Sequence, residues 1–217
     1  MSTHTLFITE VFASLQGEGP LMGQPATFVR LSGCIKPYCH FCDTTFSFAK
    51  GEEIEVNDLA KQVLALNQNL VVITGGEPFL QQGEALDLFE TILLEAGVNI
   101  QYETSGRIEI TTRRAGITVV CSPKQVGLFD SDEWSFVPSN IGRVDCFKFV
   151  YSDNEKQLCD FIANYEIPSE KVYVMPEGSS LKKQLAKMED AWNLCVKQNW
   201  NFCPRLHVLA FDEKTGV

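Results

Sequence analysis

The chain has 217 residues, of which 45% are hydrophobic, and its net charge is −10. This size and composition suit a globular protein with a full core, and we expect residues 1–217 to form a single domain. The acidic balance disfavours nucleic acid as a partner, because broad binding to phosphates requires clustered Lys and Arg. The sequence has no basic, apolar leader pattern and no apolar run of about 18 residues, so we expect a cytoplasmic protein without a membrane partner.

Two strands are predicted at the start of the chain, over residues 5–13 and 26–32, which are rich in β-branched and aromatic residues. Between them lies segment 16–19, with the sequence Gln-Gly-Glu-Gly. Its glycines permit close approach of the backbone, so it is either a plain turn or a loop that faces a ligand. Arg30, in the second predicted strand, is either a surface residue or a clamp for an anion, because a guanidinium matches a carboxylate.

Three of the eight cysteines, Cys34, Cys39 and Cys42, lie within nine residues directly after the second predicted strand. Three thiolates in one loop repel one another unless a cation binds between them. A closed zinc site has four ligands, and His40 would have to supply the fourth although it adjoins Cys39. A four-iron cluster held by three cysteines leaves one iron open to another ligand. The spacing alone leaves iron–sulfur, zinc and redox functions open, as well as an accidental grouping.

The other five cysteines are scattered among apolar residues, and we expect them to be buried as small hydrophobic side chains. They are Cys121, Cys146, Cys159, Cys195 and Cys203.

From residue 57 onward, helix and strand patterns alternate. Helices are predicted over residues 58–66, 83–96, 154–165 and 180–198, with Asn57 and Asp153 as caps of the first and third. Strands are predicted over residues 70–74, 99–103, 117–121, 146–151, 172–175 and 202–207.

Three further features of this region are predicted. Residues 108–115 are weakly helix-like, and residues 125–143 are irregular. One stripe of the helix over 180–198 is expected to face the core, namely Leu181, Leu185, Met188, Trp192 and Cys195.

The alternation of strands and helices predicts an α/β fold with a parallel sheet and right-handed crossovers. About six such units are too few for the closed eight-fold barrel, so we expect an open, partial TIM-type barrel, roughly (β/α)6, with an N-terminal β extension. Ligands of such sheets bind at the carboxyl ends of the strands. The unusual short motifs all follow predicted strands, at 34–42, 75–78, 104–106, 122–124 and 176–178. We therefore expect them to meet at one cofactor site.

Taken in order, these motifs resemble those of the 7-carboxy-7-deazaguanine synthases, radical S-adenosylmethionine (SAM) enzymes of queuosine precursor synthesis. The resemblance runs from about residue 8 to the end and rests on segments 15–19, 28–34, 42–44, 74–78, 103–106 and 122–124. The chain departs from the usual radical SAM pattern in one respect. Four residues separate Cys34 from Cys39, where most of these enzymes have three.

The resemblance implies that Cys34, Cys39 and Cys42 hold a [4Fe-4S] cluster whose open iron binds the methionyl group of SAM. It implies that the Thr44 hydroxyl helps to bind Mg²⁺, which prefers hard oxygen donors. The SAM-binding residues that it implies are Phe41, Cys42, Asp43, Gly75, Gly76, Glu77, Ser105, Ser122, Pro123 and Lys124.

The implied activity is that of a carbon–nitrogen lyase that converts 6-carboxy-5,6,7,8-tetrahydropterin to 7-carboxy-7-deazaguanine with loss of ammonia. The implied substrate-binding residues are Leu15, Gln16, Gly17, Glu18, Arg30, Thr74, His207 and Val217. For His207 a purely structural role is an equal alternative. The implied partners are the small pterin substrate, an electron donor such as flavodoxin or ferredoxin, and a second copy of the chain in a homodimer.

Two other functions are compatible with parts of this pattern. The first is a radical SAM activase that makes a glycyl radical on a partner protein, which would share the cysteine loop and the glycine-rich strand end. The second is a zinc-stabilised, non-catalytic module that binds a protein or RNA, although the acidic charge argues against RNA.

Overall fold

The computed structural model describes residues 4–111, 114–125 and 131–214. The strands are β1 Thr5–Leu15, β2 Pro25–Leu31, β3 Glu52–Glu55, β4 Leu70–Gly75, β5 Asn99–Thr104, β6 Ile117–Cys121, β7 Lys124–Gln125, β8 Trp134–Ser135, β9 Cys146–Tyr151, β10 Val172–Pro176 and β11 Asn201–Phe202. The helices are α1 Val56–Ala65, α2 Glu84–Glu95, α3 Glu155–Asn164, α4 Leu181–Gln198 and α5 Leu206–Phe211. Short 3-10 turns occur at Thr45–Phe48, Pro78–Gln81, Pro138–Arg143 and Ser169–Lys171.

Within the described ranges, nine strands form one sheet in the order β11-β10-β9-β6-β5-β4-β2-β1-β3. Neighbouring strands from β2 to β11 are parallel, whereas β1 is antiparallel to both β2 and β3. The edge strands β11 and β3 do not pair with each other. The predicted open barrel with an N-terminal β extension is therefore confirmed.

The core lies between this sheet and the helices that cover it. The first four residues of β4 are all buried, as expected of a strand with both faces covered. Helix α1 buries Leu59 and Val63, α2 buries Phe89 and Leu93, and these side chains belong to one apolar cluster with the strands. This packing fixes the strand ends, where the short motifs lie.

The predicted caps of two helices are wrong by one or two residues. The α1 cap is Glu55, whose carboxylate accepts a hydrogen bond from the backbone nitrogen of Asn57, so Asn57 lies inside the helix. Helix α3 begins after Asn154, and Asp153 instead has a φ of +61° and forms an ion pair with Lys187.

The weak helix predicted over 108–115 is absent from the described part of that segment, residues 108–111 and 114–115. The side chain of Asn140 explains this. Its amide nitrogen donates to the carbonyl oxygens of Gly106 and Ile108, at 3.1 and 2.8 Å, and its oxygen accepts from the backbone nitrogen of Ile110 at 2.9 Å. These bonds stabilise a non-helical backbone where a helix would need its own i to i−4 bonds.

The stripe of α4 that was predicted to face the core lies partly at the surface. Leu185 and Trp192 are each 56% exposed. The buried face carries Gln184, Ala191, Leu194 and Cys195. Helix α4 is rotated in this way because the Gln184 amide donates to the carbonyl oxygens of Pro176, at the end of β10, and of Gly178, at 2.6 and 3.0 Å.

The strand predicted over 202–207 is replaced by the two-residue strand β11 and the short helix α5. The chain turns between them at Pro204, which lacks the N–H that a continuing strand would donate. The backbone nitrogen of Leu206 then donates to the carbonyl oxygen of Gly17 at 3.0 Å. The C-terminal region is thereby joined to the loop that follows β1.

No helix within the described ranges combines the length and the apolar character that crossing a membrane requires.

Candidate active site

The carboxyl ends of the parallel strands border one cavity of about 710 Å³. Most of the predicted site residues line this cavity: Leu15, Gln16, Gly17, Glu18, Arg30, Cys34, Cys39, Phe41, Cys42, Asp43, Thr44, Thr74, Gly75, Gly76, Ser105, Ser122, Lys124 and His207. Glu77 and Pro123 are buried behind its wall. Val217 lies outside the described residues.

The three clustered cysteines are partly exposed and face this cavity together. The backbone nitrogen of Cys42 donates to the carbonyl oxygen of Cys39 at 3.2 Å, which closes a tight turn. Burial is the main cause that raises the pKa of the Cys34 thiol, and the charges of Glu77, Cys39 and Cys42 add to it. A cation bound beside Cys34 would favour its thiolate form.

Among the residues described, no three His, Cys, Asp or Glu side chains are arranged to hold a single metal ion. One zinc ion would require all its sulfur ligands at about 2.3 Å from the same point. A four-iron cluster binds each cysteine to a different iron, so its ligands stand farther apart. Three cysteines that line one cavity are the ligands that a four-iron cluster with one open iron requires.

Gly75 and Gly76 pack against the backbone that leads to Cys34. A Cβ atom would lie 2.0 Å from the carbonyl oxygen of Leu31 if placed on Gly75, and 1.7 Å from that of Gly33 if placed on Gly76. Glycine is thus required at both positions for the two strand ends to pack against each other. This requirement holds whether or not a ligand also approaches the same backbone. The backbone of both glycines still lines the cavity.

Glu77 links the end of β4 to the end of β5. Its carboxylate is fully buried and accepts hydrogen bonds from the hydroxyl of Thr104 at 2.6 Å and the backbone nitrogen of Ser105 at 2.9 Å. The Ser105 hydroxyl also donates to it, at 2.5 Å. Glu77 therefore positions Ser105 in the cavity wall and does not itself face the cavity.

A buried charge network, which the sequence reasoning missed, crosses the floor of the cavity. The Lys148 side chain is 5% exposed, and its ammonium lies 2.5 Å from a carboxylate oxygen of Glu18 and 2.7 Å from one of Glu103. The other Glu18 oxygen accepts from Arg205 Nε at 2.9 Å, and Arg205 also pairs with Asp43. A lysine within the otherwise apolar strand β9 was the available signal, because buried lysines are almost always paired.

The two carboxylates that share Lys148 have opposite pKa shifts. Burial alone would raise the pKa of Glu18, but the positive charges of Lys148 and Arg205 outweigh it and lower that pKa. Burial is the main cause that raises the pKa of Glu103. The positive charge of Lys148 opposes this rise, and the negative charge of Glu18 adds to it. Burial lowers the pKa of His207, so its imidazole is neutral near pH 7.

His207 lies against the loop after β1. A Cβ atom on Gly17 would be 2.3 Å from His207 Nδ1, so only glycine permits this contact. In the same loop the side-chain amide of Gln16 is buried and donates to Glu103 at 3.2 Å. The loop, α5 and the charge network therefore form one continuous wall.

Arg30 lines the cavity from β2, and its side chain is 14% exposed. Its Nε donates to Glu10 at 2.6 Å, and its guanidinium lies 5.7 Å from the centre of the Phe46 ring. The bond to Glu10 involves Nε, so the edge formed by the two terminal nitrogens is the part suited to an incoming anion.

Two polar groups complete the cavity wall near the cysteines. The Thr44 hydroxyl lies 3.5 Å from Cys42 Sγ. The Lys124 ammonium donates to the Ser122 hydroxyl at 2.7 Å and lies 5.5 Å from the centre of the Phe41 ring. A cation and a hydroxyl are thus held beside residues 34–42, which carry the three clustered cysteines.

The chain is similar over nearly its whole length to proteins named 7-carboxy-7-deazaguanine synthase. It is 36% identical to that of Hyperthermus butylicus over 219 residues, which is 94% of this chain and 92% of the relative. It is 41% identical to that of Thermoplasma acidophilum, over 98% of this chain and 100% of the relative. No protein-family model matches the chain.

The fold is shared with QueE from Escherichia coli, whose crystal structure superposes with a TM-score of 0.76. The superposition covers 94% of this chain and 95% of that one, at 23% sequence identity.

With these relatives, the open barrel and its cysteine-lined cavity define a radical SAM lyase, whose cofactors are SAM and a [4Fe-4S] cluster. The chain belongs to the 7-carboxy-7-deazaguanine synthase family of queuosine biosynthesis. The resemblance noted in the sequence motifs is thereby confirmed.

Proposed function

We propose that this cavity binds 6-carboxy-5,6,7,8-tetrahydropterin and converts it to 7-carboxy-7-deazaguanine with loss of ammonia. One observation carries the proposal: the three clustered cysteines and a buried, highly charged wall line the same cavity. An iron–sulfur site needs the first, and a polar bicyclic substrate needs the second. We also propose that residues 1–217 form one catalytic domain, since strands from both ends of the chain join one sheet.

Cys34, Cys39 and Cys42 would hold the cluster, which together with SAM supplies a 5′-deoxyadenosyl radical when both are bound. The residues that would bind SAM are those of the adjoining wall: Phe41, Cys42, Asp43, Gly75, Gly76, Ser105, Ser122 and Lys124. Glu77 and Pro123 would contribute indirectly, the first through its hydrogen bonds to Ser105.

The substrate would lie against the other part of the wall. Arg30 would bind its carboxylate through the terminal guanidinium nitrogens, with Glu10 fixing the orientation of the guanidinium. Thr44 would supply one hard oxygen ligand to a Mg²⁺ ion beside that carboxylate. Leu15, Gln16, Gly17, Glu18, Thr74 and His207 would surround the pterin ring. Val217, which the resemblance also implies as a substrate-binding residue, lies outside the described residues.

The charge network would orient the ring and exclude water. Glu18 is held ionised by Lys148 and Arg205, so it serves as a fixed charge and not as a proton carrier. Glu103 is already fixed by side-chain amides of Gln16 and Gln101, at 3.2 and 2.8 Å. A carboxylate placed in this way suits the adjacent N–H groups of a 2-aminopyrimidinone ring.

The proposal includes a cytoplasmic location, supported by the eight cysteines, which are all unpaired thiols as expected in a reducing compartment. It includes an electron donor such as flavodoxin or ferredoxin, which the cluster requires. It also includes a homodimer, supported by the exposed apolar residues Leu185, Trp192 and Val196 on α4, which a second copy would cover.

The test is anaerobic incubation of the reconstituted protein with the carboxytetrahydropterin, SAM and a reductant. We expect a new deazapurine chromophore and release of ammonia, and about four irons per chain. Cys39→Ala should lose cluster and turnover, whereas Cys159→Ala, which changes a cysteine outside the cavity, should keep both.

Other outcomes would contradict the proposal in distinct ways. A cluster-loaded protein that leaves the pterin unchanged would favour the activase. A colourless protein with one zinc per chain would favour the zinc-stabilised module.

A further inference from the structure

The segment between Cys34 and Cys39 is not fixed by hydrogen bonds between backbone groups. Within the part of the chain that the structure describes, residues 35–38 make no backbone–backbone hydrogen bond. Lys36, Pro37 and Tyr38 are exposed. Without such bonds, the position of the segment depends on contacts from side chains.

Arg107 supplies the missing bonds. Its terminal nitrogens donate to three consecutive carbonyl oxygens, of Ile35 at 3.1 Å, Lys36 at 3.0 Å and Pro37 at 2.9 Å. A guanidinium presents several N–H donors in one rigid plane, so it can bind three carbonyl groups that converge.

Arg107 is itself held in place by hydrogen bonds to residues outside the cysteine segment. Its Nε donates to the hydroxyl of Ser135 in β8 at 2.8 Å. Its backbone nitrogen donates to the hydroxyl of Ser105, which in turn donates to the buried carboxylate of Glu77. The fixed end of β5 is thus connected through one side chain to the cysteine segment.

We propose that Arg107 is the positioning residue that fixes the Cys34–Cys39 segment for binding of the [4Fe-4S] cluster, as the four-residue spacing of this chain requires. The inference rests on the proposed cluster ligands. Arg107 would act in two ways: its hydrogen bonds hold Cys34 and Cys39 at the right separation, and its positive charge stabilises the more negative, reduced cluster.

The two effects can be separated with two variants. Arg107→Lys keeps the charge but loses the planar fork, whereas Arg107→Gln loses both. Arg143→Gln is the matched control, because Arg143 is exposed and donates to one carbonyl oxygen, that of Thr111, away from the cysteine segment. The readouts are the rate of iron loss to a chelator and the midpoint potential of the anaerobically reconstituted protein.

For Arg107→Gln we expect iron loss about tenfold faster than in the unaltered protein, and a more negative potential. For Arg107→Lys we expect faster loss with a nearly unchanged potential. Arg143→Gln should behave as the unaltered protein does. Arg107→Gln with both readouts equal to those of Arg143→Gln would overturn the inference.

If circular dichroism shows that Arg107→Gln does not fold, the inference is tested with Arg107→Lys alone. Iron loss from Arg107→Lys at the same rate as from the unaltered protein would overturn the inference. An unaltered protein that takes up no four-iron cluster would instead refute the proposed cofactor. That result is read from the unaltered protein alone, so the two failures are distinguishable.

Discussion

The backbone nitrogen of Glu77 donates a 2.9 Å hydrogen bond to the carbonyl oxygen of Gly33, the residue before the first clustered cysteine. Gly76 lies in the same contact, where an added Cβ would be 1.7 Å from that oxygen. The glycine-rich end of β4 thus supports the cysteine segment directly.

Gly76→Ala should therefore destabilise the protein, because the methyl group would push β4 away from the residues before Cys34. Overpacking of this kind typically reduces the free energy of unfolding by about 1–3 kcal/mol. Urea denaturation of the cluster-free protein measures it.

Gly142→Ala is the control for this substitution, because a Cβ there would meet no atom within 4 Å. Equal denaturation midpoints for the two variants would show that the contact between Gly76 and Gly33 is not tight in solution.

Lys148→Met should be strongly destabilising. It keeps the apolar stem but leaves the Glu18 and Glu103 carboxylates buried without their shared cation. Breaking a buried ion pair by removing one partner typically lowers the free energy of unfolding by about 3–5 kcal/mol. Thermal and urea unfolding measure the change.

Lys156→Met removes an exposed lysine that pairs with Asp160 across one turn of α3, and it should have no measurable effect. If Lys148→Met unfolds at the same urea concentration as Lys156→Met, the buried network does not stabilise the fold.

The stability that Glu18 provides should depend on pH in a defined direction. Its pKa is lower in the folded protein than the ordinary value of 4.5, so its contribution is complete above pH 4.5 and is lost as the pH falls below it. The unaltered protein should be more stable than Glu18→Gln near neutral pH, and this difference should shrink in acid.

Urea denaturation of both proteins at about pH 7, pH 5 and pH 4 would measure this dependence. A difference in unfolding free energy that stays constant or grows toward acid would contradict the shift assigned to Glu18.

Arg30→Ala should weaken pterin binding and leave the iron content unchanged. Loss of a hydrogen bond to a charged group typically costs about 1.5–3 kcal/mol, which is about a 10- to 150-fold loss of affinity. Direct titration of the carboxypterin into the anaerobic protein measures it. Glu10→Gln, which keeps a polar partner for Arg30, should have a smaller effect. Unchanged affinity in Arg30→Ala would mean that another group binds the carboxylate.

Much of the fold and site was determined by sequence features that act locally. Apolar runs, helical periodicity and the glycines and prolines at strand ends predicted the order of β2, β4, β5, β6, β9 and β10 correctly. Parallel strands align their carboxyl ends, so the motifs that follow them had to meet at one edge. The cysteine spacing, read with those motifs, also identified the family.

Contacts between distant parts of the chain were decided only by the tertiary structure. Lys148 pairs with Glu18 across 130 positions, and Arg107 binds Ile35 across 72. Asn140 bonds to the backbone of Ile110, within the described part of the segment where a helix was predicted, and the exposed face of α4 is set by the hydrogen bonds of Gln184. Local periodicity gives the faces of an element but not its neighbours. Which charge meets which carbonyl or carboxylate depends on strand order and helix rotation, and these are fixed only when the whole sheet packs.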